Sequence, residues 1–139
     1  MTPPAPNERR SILLAGVGGQ GVLTAAQIIG RAALAAGLDG MVGQLHGMSQ
    51  RGGSVEASVV IGAGKSAFIR DRGADAVLGF EPLEALRVSP RVAPHARVVV
   101  NTGRIVPFSI VKGGGEYPPL GEILERLGAA AGSVRTIDG

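Results

Sequence analysis

At 139 residues with 45% hydrophobic side chains, the chain can build one domain with a buried core, whereas two separate cores would each be marginal. The net charge of +3 comes from scattered basic residues without a basic run or interleaved aromatics, so no nucleic-acid partner is predicted. The absence of cysteine excludes disulfides, a thiol nucleophile and Cys-ligated zinc or iron–sulfur sites in this chain.

The first ten residues, 1–10, are polar and rich in proline, which predicts a flexible tail and no signal peptide. No apolar stretch approaches the roughly 20 residues that a membrane-spanning helix needs. We therefore expect a cytoplasmic protein with no membrane partner, whose single domain occupies residues 11–139.

A strand, a glycine-rich loop and a helix are predicted in succession near the N-terminus. The apolar run Ile12–Ala15 precedes the loop Gly16–Gly21, and the helix that follows is expected to end at Gly37. A second strand is predicted at Met41–Leu45. A right-handed crossover would make these two strands a parallel pair.

The rest of the chain continues the α/β pattern. Strict alternation from Ser54 to Ile61 predicts a half-exposed strand, antiparallel or at a sheet edge, with residues 66–70 as a short partner strand. Further strands are predicted at Ala76–Gly79, Arg97–Asn101 and Ser133–Ile137, and helices at Glu81–Leu86 and from Leu120. A β-prone segment at 105–110 is broken by Pro107. The expected fold is α/β and Rossmann-like, with a mostly parallel sheet flanked by helices and a glycine-rich first β–α loop.

The glycine loop admits more than one chemical interpretation. Gly16, Gly18 and Gly21 satisfy the G-x-G-x-x-G fingerprint of dinucleotide sites, after a strand and before a helix. The acidic partner of that fingerprint is missing, because residues 45–46 are Leu and His. A P-loop is excluded because Val22 stands where the phosphate-binding lysine should be.

Two alternatives therefore stay open for this loop. It holds a phosphate-containing ligand, or its glycines allow helix, loop and a neighbouring subunit to pack closely, with Gln20 hydrogen-bonding across the contact.

A second loop of chemical interest covers residues 46–53. His46 is predicted to be a hydrogen-bonded residue at a strand end, since no second histidine is near enough for a metal pair, and no metal site is expected. Arg51 either braces the loop or binds a carboxylate or phosphate through its paired donors. Ser49 has no evident base or acid partner, so a catalytic triad is not predicted.

Three segments resemble a known family. They are Leu13–Val22, His46–Val55 and Leu78–Leu86, and the chain is similar in them to the gamma-type subunits of 2-oxoacid:ferredoxin oxidoreductases. The run Gly-Met-Ser-Gln-Arg-Gly-Gly at 47–53 narrows the resemblance to the indolepyruvate-type beta subunits. Family chains continue past the position of Gly139, so the resemblance implies a C-terminus that is truncated here.

The resemblance implies a subunit of an enzyme that oxidatively decarboxylates an aryl 2-oxo acid such as indolepyruvate to an acyl-CoA and reduces ferredoxin. Thiamine diphosphate and the iron–sulfur clusters would then belong to a large partner subunit, through which ferredoxin is reduced. This chain would bind no cofactor alone, would be inactive alone, and would act as an accessory domain beside the thiamine site. The alternative is a stand-alone domain that binds a dinucleotide or another phosphate ligand.

The two loops would face the shared active site, with Arg51 helping to hold a carboxylate or a phosphate of CoA. No catalytic residue is assigned. The residues expected to contact substrate, CoA or the partner's active site are Gly18, Gly19, Gln20, Gly21, Met48, Ser49, Gln50, Arg51 and Gly52.

Overall fold

The computed structural model describes residues 8–44, 52–106 and 113–139. These residues form one sheet with helices on both faces. In chain order, the elements are β1 (Arg9–Val17), α1 (Val22–Ala35), β2 (Gly40–Gln44), β3 (Ser54–Gly62), β4 (Ala74–Gly79), α2 (Pro82–Arg87), a 3-10 turn (Ser89–Arg91), β5 (Val92–Asn101), α3 (Leu120–Ala130) and β6 (Ser133–Ile137).

The six strands lie in the order β2-β3-β1-β4-β5-β6. Strands β1, β4, β5 and β6 run parallel to one another, and β3 is antiparallel to both β1 and β2. The predicted α/β class with helices flanking the sheet is confirmed. The sheet is mixed, because β3 adds an antiparallel portion to the parallel one.

The expected pairing of the first two strands is wrong. β3 lies between β2 and β1 and bonds to both, so β2 runs in the predicted direction without touching β1. The pairing of β1 with β3 extends from Arg9 opposite Gly62 to Val17 opposite Ser54. β2 has five residues, so a direct pair of β2 with β1 would be shorter than this nine-residue pairing. The longer pairing is favoured because each added residue contributes ladder hydrogen bonds.

β3 was predicted to be antiparallel or at an edge, and the first of these alternatives is confirmed. Its predicted half-exposure is wrong, because β3 lies inside the sheet and most of it is buried. Residues 57–60 are buried because α1 covers one face and the segment 65–70 crosses the other. Ile69 of that segment enters the core, and Ser58 Oγ donates a hydrogen bond of 2.6 Å to the carbonyl of Ala67. The partner strand predicted at 66–70 is therefore also wrong, since this segment forms no strand.

Two aliphatic clusters hold the layers together. One lies between the sheet and α1 and includes Leu14 and Ala26, and the other lies under α2 and α3 and includes Leu13, Ile123 and Leu127. Fully burying a Leu or Ile side chain stabilises a fold by about 1.5–3 kcal/mol relative to leaving it exposed. Burial on both faces explains why the β1 sequence is continuously apolar.

Several strand starts differ from the predicted ones. β1 begins at Arg9, inside the predicted tail, and the neighbouring Glu8 carbonyl accepts a hydrogen bond of 2.8 Å from Ala63 N–H. β4 and β5 also begin earlier than expected, at Ala74 and Val92, with a register shift between Ala74 and Ala76. Such an irregularity accommodates Pro94, which cannot donate to a regular ladder. The predicted segment 105–110 lies outside the described residues from position 107 onward.

Within the described ranges, no helix is both long enough and apolar enough to cross a membrane.

Candidate functional site

The carboxyl edge of the parallel strands holds the glycine loop. The helix after β1 packs on one face of the sheet and the helix after β4 packs on the other. A crevice forms between the carboxyl ends of neighbouring strands where successive helices lie on opposite faces, and open α/β sheets bind ligands there. The edge after β1 and β4 is therefore the candidate functional site.

The loop between β1 and α1 has the backbone that its glycines predicted. Gly19 and Gly21 have φ angles of 98° and 86°, in the left-handed region that glycine enters without strain. Gly21 is the N-cap of α1, so the N-cap residue itself offers no side chain to the helix, and the first turn contains no acidic residue. The positive end of the helix dipole therefore faces this edge without a negative group from the first turn.

The side chain of Gln20 bridges the crevice. Val17 N–H donates to Gln20 Oε1 at 2.7 Å, and Gln20 Nε2 donates to the carbonyl of Phe80 at 3.0 Å. The amide thereby joins the loop after β1 to the loop after β4. These bonds lie within this chain, and the crevice between the two loops holds a protein side chain.

Gly16 is a packing glycine. A Cβ placed there would lie 2.7 Å from Val22 Cγ2 and 2.9 Å from Phe80 Cβ. The first glycine of the fingerprint therefore lets α1 and the loop after β4 approach the end of β1. Close packing within the chain accounts for this position.

The second predicted loop reaches the same edge. Gly18 N–H donates to the carbonyl of Gly53 at 2.7 Å, and Gly52 N–H lies 3.4 Å from the carbonyl of Gly18. These bonds continue past the end of the pairing of β1 with β3 and bring Gly52 beside Gly18. Four of the predicted site residues lie outside the described part of the chain: Met48, Ser49, Gln50 and Arg51.

Glu81, just after β4, is a fully buried carboxylate with several donors. It caps α2 by accepting from the N–H groups of Leu83 and Glu84, the latter at 3.2 Å, and Tyr117 OH donates to its other oxygen at 2.8 Å. Burial, and then this bond to Glu81, raise the pKa of Tyr117 above its ordinary value of 10.0. The Arg104 guanidinium lies 5.0 Å from the centre of the Tyr117 ring, within cation–π range.

A second buried carboxylate, Glu84, lies in the same helix. Burial raises its pKa above the ordinary 4.5, although a hydrogen bond with Ser54 and the charge of Arg87 act in the opposite direction. Arg87 Nε lies 3.3 Å from Glu84 Oε1, yet this oxygen accepts no aligned hydrogen bond from the described residues. An ion pair between Glu56 and Arg91 ties β3 to the 3-10 turn nearby.

Sequence reasoning missed Phe80, Glu81 and Tyr117 as parts of this edge. Glu81 was expected only to begin a helix, which the structure confirms with Pro82 at its first position. Tyr117 lies 36 residues away from Glu81 in sequence, and no local pattern pairs them. The Gly47–Gly53 run gave the only sequence signal that a second loop meets the glycine loop.

Across residues 8–44, 52–106 and 113–139, no group of three or more His, Cys, Asp or Glu side chains is placed to hold a metal ion. His46 lies outside these ranges. His95 lies at the opposite edge of the sheet, where its Nε2 is 2.7 Å from Asp75 Oδ1.

Known proteins resemble this chain in both sequence and fold. It is 44% identical over 125 residues to indolepyruvate oxidoreductase subunit IorB of Methanothermobacter thermautotrophicus, covering 90% of this chain and 64% of that protein. It is 45% identical over 119 residues to the subunit of the same name from Archaeoglobus fulgidus, covering 86% of this chain and 59% of that protein. The chain thus spans about three-fifths of the length of these relatives.

The fold is similar to that of pyruvate oxidoreductase subunit PORC from Thermotoga maritima, with a TM-score of 0.66 at 19% identity over 95% of this chain and 63% of that one. The family model described as pyruvate ferredoxin/flavodoxin oxidoreductase matches residues 11–137. The resemblance predicted from three short segments is thereby confirmed over nearly the whole chain. This chain belongs to the pyruvate ferredoxin/flavodoxin oxidoreductase family.

Proposed function

We propose that this chain is an accessory subunit of a cytoplasmic indolepyruvate-type 2-oxoacid:ferredoxin oxidoreductase. The assembled enzyme would oxidatively decarboxylate an aryl 2-oxo acid to an acyl-CoA and pass the electrons to ferredoxin. Relatives named as indolepyruvate oxidoreductase subunits, 44–46% identical to this chain, support this assignment. In this proposal the partner is a large subunit that carries thiamine diphosphate and the iron–sulfur clusters, and ferredoxin is reduced through it.

The residues of this chain fit a role beside those cofactors and do not fit a role in holding them. No cysteine is present to ligate a cluster. The crevice that would receive a dinucleotide contains the Gln20 side chain. When bound in the assembled enzyme, thiamine diphosphate supplies the carbanion stabilisation that decarboxylation requires.

The observation that supports the proposed site most strongly is the joining of the two predicted loops at the carboxyl edge. Gly18 and Gly53 are hydrogen-bonded, so the chain enters β3 directly beside the glycine loop. A Cβ placed on Gly21 would meet no atom of residues 8–44, 52–106 or 113–139 within 4 Å, so these residues leave the space in front of the helix N-terminus open. We place the contact with the partner's active site here, including Gly19, Gln20, Gly52 and the segment 48–51.

The substitution Gly21→Asn tests this placement, because Asn tolerates the left-handed backbone and adds a side chain to the open space. Gly37→Asn is the matched control. Gly37 has a φ of 80°, its Cβ position has no atom within 4 Å in the described part of the chain, and it lies just past the opposite end of α1. We expect Gly21→Asn to lower indolepyruvate-dependent ferredoxin reduction by the assembled enzyme at least tenfold, since close approach to the partner is blocked.

Gly37→Asn should retain full turnover, and both variants should unfold near the wild-type temperature. Equal turnover of the wild-type and Gly21→Asn complexes, with unchanged CoA affinity, would remove the glycine loop from the proposed contact.

Arg51 is proposed to bind a carboxylate of the substrate or a phosphate of CoA. Arg51→Ala should raise the KM for CoA or for the 2-oxo acid, whereas Arg51→Lys should restore only part of the loss, because lysine lacks the paired donors. Arg31→Ala, on the exposed face of α1, serves as the control. An Arg51→Ala subunit that assembles and keeps wild-type kinetic constants would rule out this role.

The alternative function, stand-alone binding of a dinucleotide or phosphate ligand, is favoured only by the uncapped N-terminus of α1 behind left-handed glycines. Titration of the isolated chain with NAD separates the two proposals. Tight binding by the chain alone supports the alternative, and its absence together with assembly on a large subunit supports the accessory role.

A further inference from the structure

A second recess lies at the amino edge of the sheet, opposite the candidate site. Its volume is about 570 Å³, and it lies beside the start of β1 and the turn that precedes β4. Small-molecule pockets typically measure about 300–1,000 Å³, so this recess is large enough for an organic ligand. Three arginines line it: Arg9, Arg70 and Arg72.

The charge of this recess is positive and largely uncompensated. Asp75 is the acidic residue in the lining, and both of its oxygens are engaged: Oδ2 accepts from Ser11 N–H at 2.8 Å and Oδ1 lies 2.7 Å from His95 Nε2. Arg9 Nη2 is held by the carbonyl of Phe68 at 2.7 Å.

The other two guanidinium groups remain available. Within the part of the chain that the structure describes, the side chains of Arg70 and Arg72 make no hydrogen bond or ion pair. Guanidinium groups offer planar pairs of donors that match phosphate and carboxylate oxygens. Two such groups beside a recess, without a partner among the described residues, are suited to an anionic ligand.

The backbone at Arg72 also suggests a function. Its φ of 57° makes it the one non-glycine residue with a positive φ in the described ranges, and its N–H is held by the carbonyl of Pro90 at 3.1 Å. A left-handed backbone is unfavourable for arginine, and glycine would avoid that strain. Folding alone does not favour arginine in this turn, whereas an anion site does.

We propose that this recess binds a small phosphorylated ligand. Its phosphoryl oxygens lie between the guanidinium groups of Arg70 and Arg72, with Arg9 adding positive charge from β1. The ring of Phe68, 61% exposed at the recess, packs against the rest of the ligand. The volume favours a ligand larger than inorganic phosphate, and this site is independent of the function proposed above.

The test is calorimetric titration of the full 139-residue chain with inorganic pyrophosphate at low ionic strength. Saturable binding is expected, and Arg70→Gln and Arg72→Asn should each weaken it about tenfold, because each removes a charge-assisted contact. Asn is chosen at position 72 because it tolerates the left-handed backbone. The matched control is Arg31→Gln on α1, which should bind as the wild type does.

The unliganded Arg70→Gln variant should unfold near the wild-type temperature, since that side chain is exposed. The unliganded Arg72→Asn variant should unfold at or above the wild-type temperature, because Asn tolerates the left-handed backbone. The proposal is overturned by unchanged affinity in both variants, or by no saturable heat up to about 10 mM pyrophosphate, a limit corresponding to negligible affinity. It is also overturned if sodium chloride at matched ionic strength, titrated in place of pyrophosphate, gives the same signal.

Discussion

Replacing Gln20 with Ala removes the side chain that joins the loops after β1 and β4. Gln20 accepts from Val17 N–H at 2.7 Å and donates to the Phe80 carbonyl at 3.0 Å. Val17 is only 1% exposed, so its N–H has little access to water once the amide is gone. The substitution therefore deletes two hydrogen bonds and leaves a buried donor without its partner.

The expected cost follows from the two bonds. Each contributes a net of about 0.5–1.5 kcal/mol, and a buried unsatisfied donor costs about 1–3 kcal/mol. Because Gln20 is only half-buried, water relieves part of the penalty, and we expect a loss of about 2 kcal/mol in the free energy of unfolding. The unfolding entropy is about 2.1 cal/mol/K per residue over 139 residues, so this loss should lower the midpoint temperature of thermal unfolding by roughly 7 °C.

Urea and thermal unfolding followed by circular dichroism measure this loss. Gln27→Ala is the matched control, since Gln27 is exposed on α1 and alanine is the better helix former, so its stability should stay within about 0.5 kcal/mol of wild type or rise slightly. If Gln20→Ala lost less than about 0.5 kcal/mol, or no more than Gln27→Ala, the bridging role of Gln20 would be refuted.

Three further substitutions test the packing around this edge. Gly16→Ala should lower the free energy of unfolding by about 1–3 kcal/mol through overpacking. The control is Gly128→Ala in α3, which should not destabilise the fold because no described atom lies near its Cβ position. Thermal unfolding measures both variants, and equal stabilities would contradict the packing role of Gly16. Tyr117→Phe should cost about 1.5–3 kcal/mol in urea unfolding because it removes a donor to the buried Glu81 carboxylate, and a cost near zero would show that Glu81 does not need it. Folding raises the pKa of Glu84, so its protonated form stabilises the fold. This contribution to the free energy of unfolding is fully present below pH 4.5 and is lost as the pH rises through the folded-state pKa. Glu84→Gln should therefore gain stability relative to wild type between pH 4.5 and about pH 7, and a constant difference across that range would contradict the assignment.

Local patterns predicted much of the fold. The strand, loop and helix from Ile12 to Gly37 could be read from an apolar run, glycines that require positive φ, and helical periodicity, and the structure confirms them. The strand Ser133–Ile137 has the predicted bounds. These features depend on residues close in sequence, where backbone preferences and periodicity act directly.

The pairing of distant strands could not be read in this way. Alternation in β3 correctly indicated an antiparallel strand but carried no information about which strands it joins. Its burial on both faces depends on Ile69 and the segment around it, whose irregular path has no periodic signal. A helix crossover fixes strand direction and leaves room for a strand inserted between the two it connects.

The site was predictable only in part. The glycine fingerprint predicted a tight loop between a strand and a helix, which the structure has at the carboxyl edge of β1. The missing acidic residue argued against a simple dinucleotide site. What lies in the crevice depends on the contact between Gln20 and Phe80, 60 residues apart in sequence. The contact between Tyr117 and Glu81 is likewise long-range, so neither could be inferred from spacing.

The central claim is that this chain acts as an accessory subunit. It is tested most directly by measuring indolepyruvate- and CoA-dependent ferredoxin reduction with the large subunit alone, with this chain alone, and with the two combined. We predict no turnover by this chain alone, little by the large subunit, and restored turnover in a complex that copurifies with thiamine diphosphate and iron–sulfur clusters. Full activity of the large subunit without this chain, or no complex between them, would contradict the account.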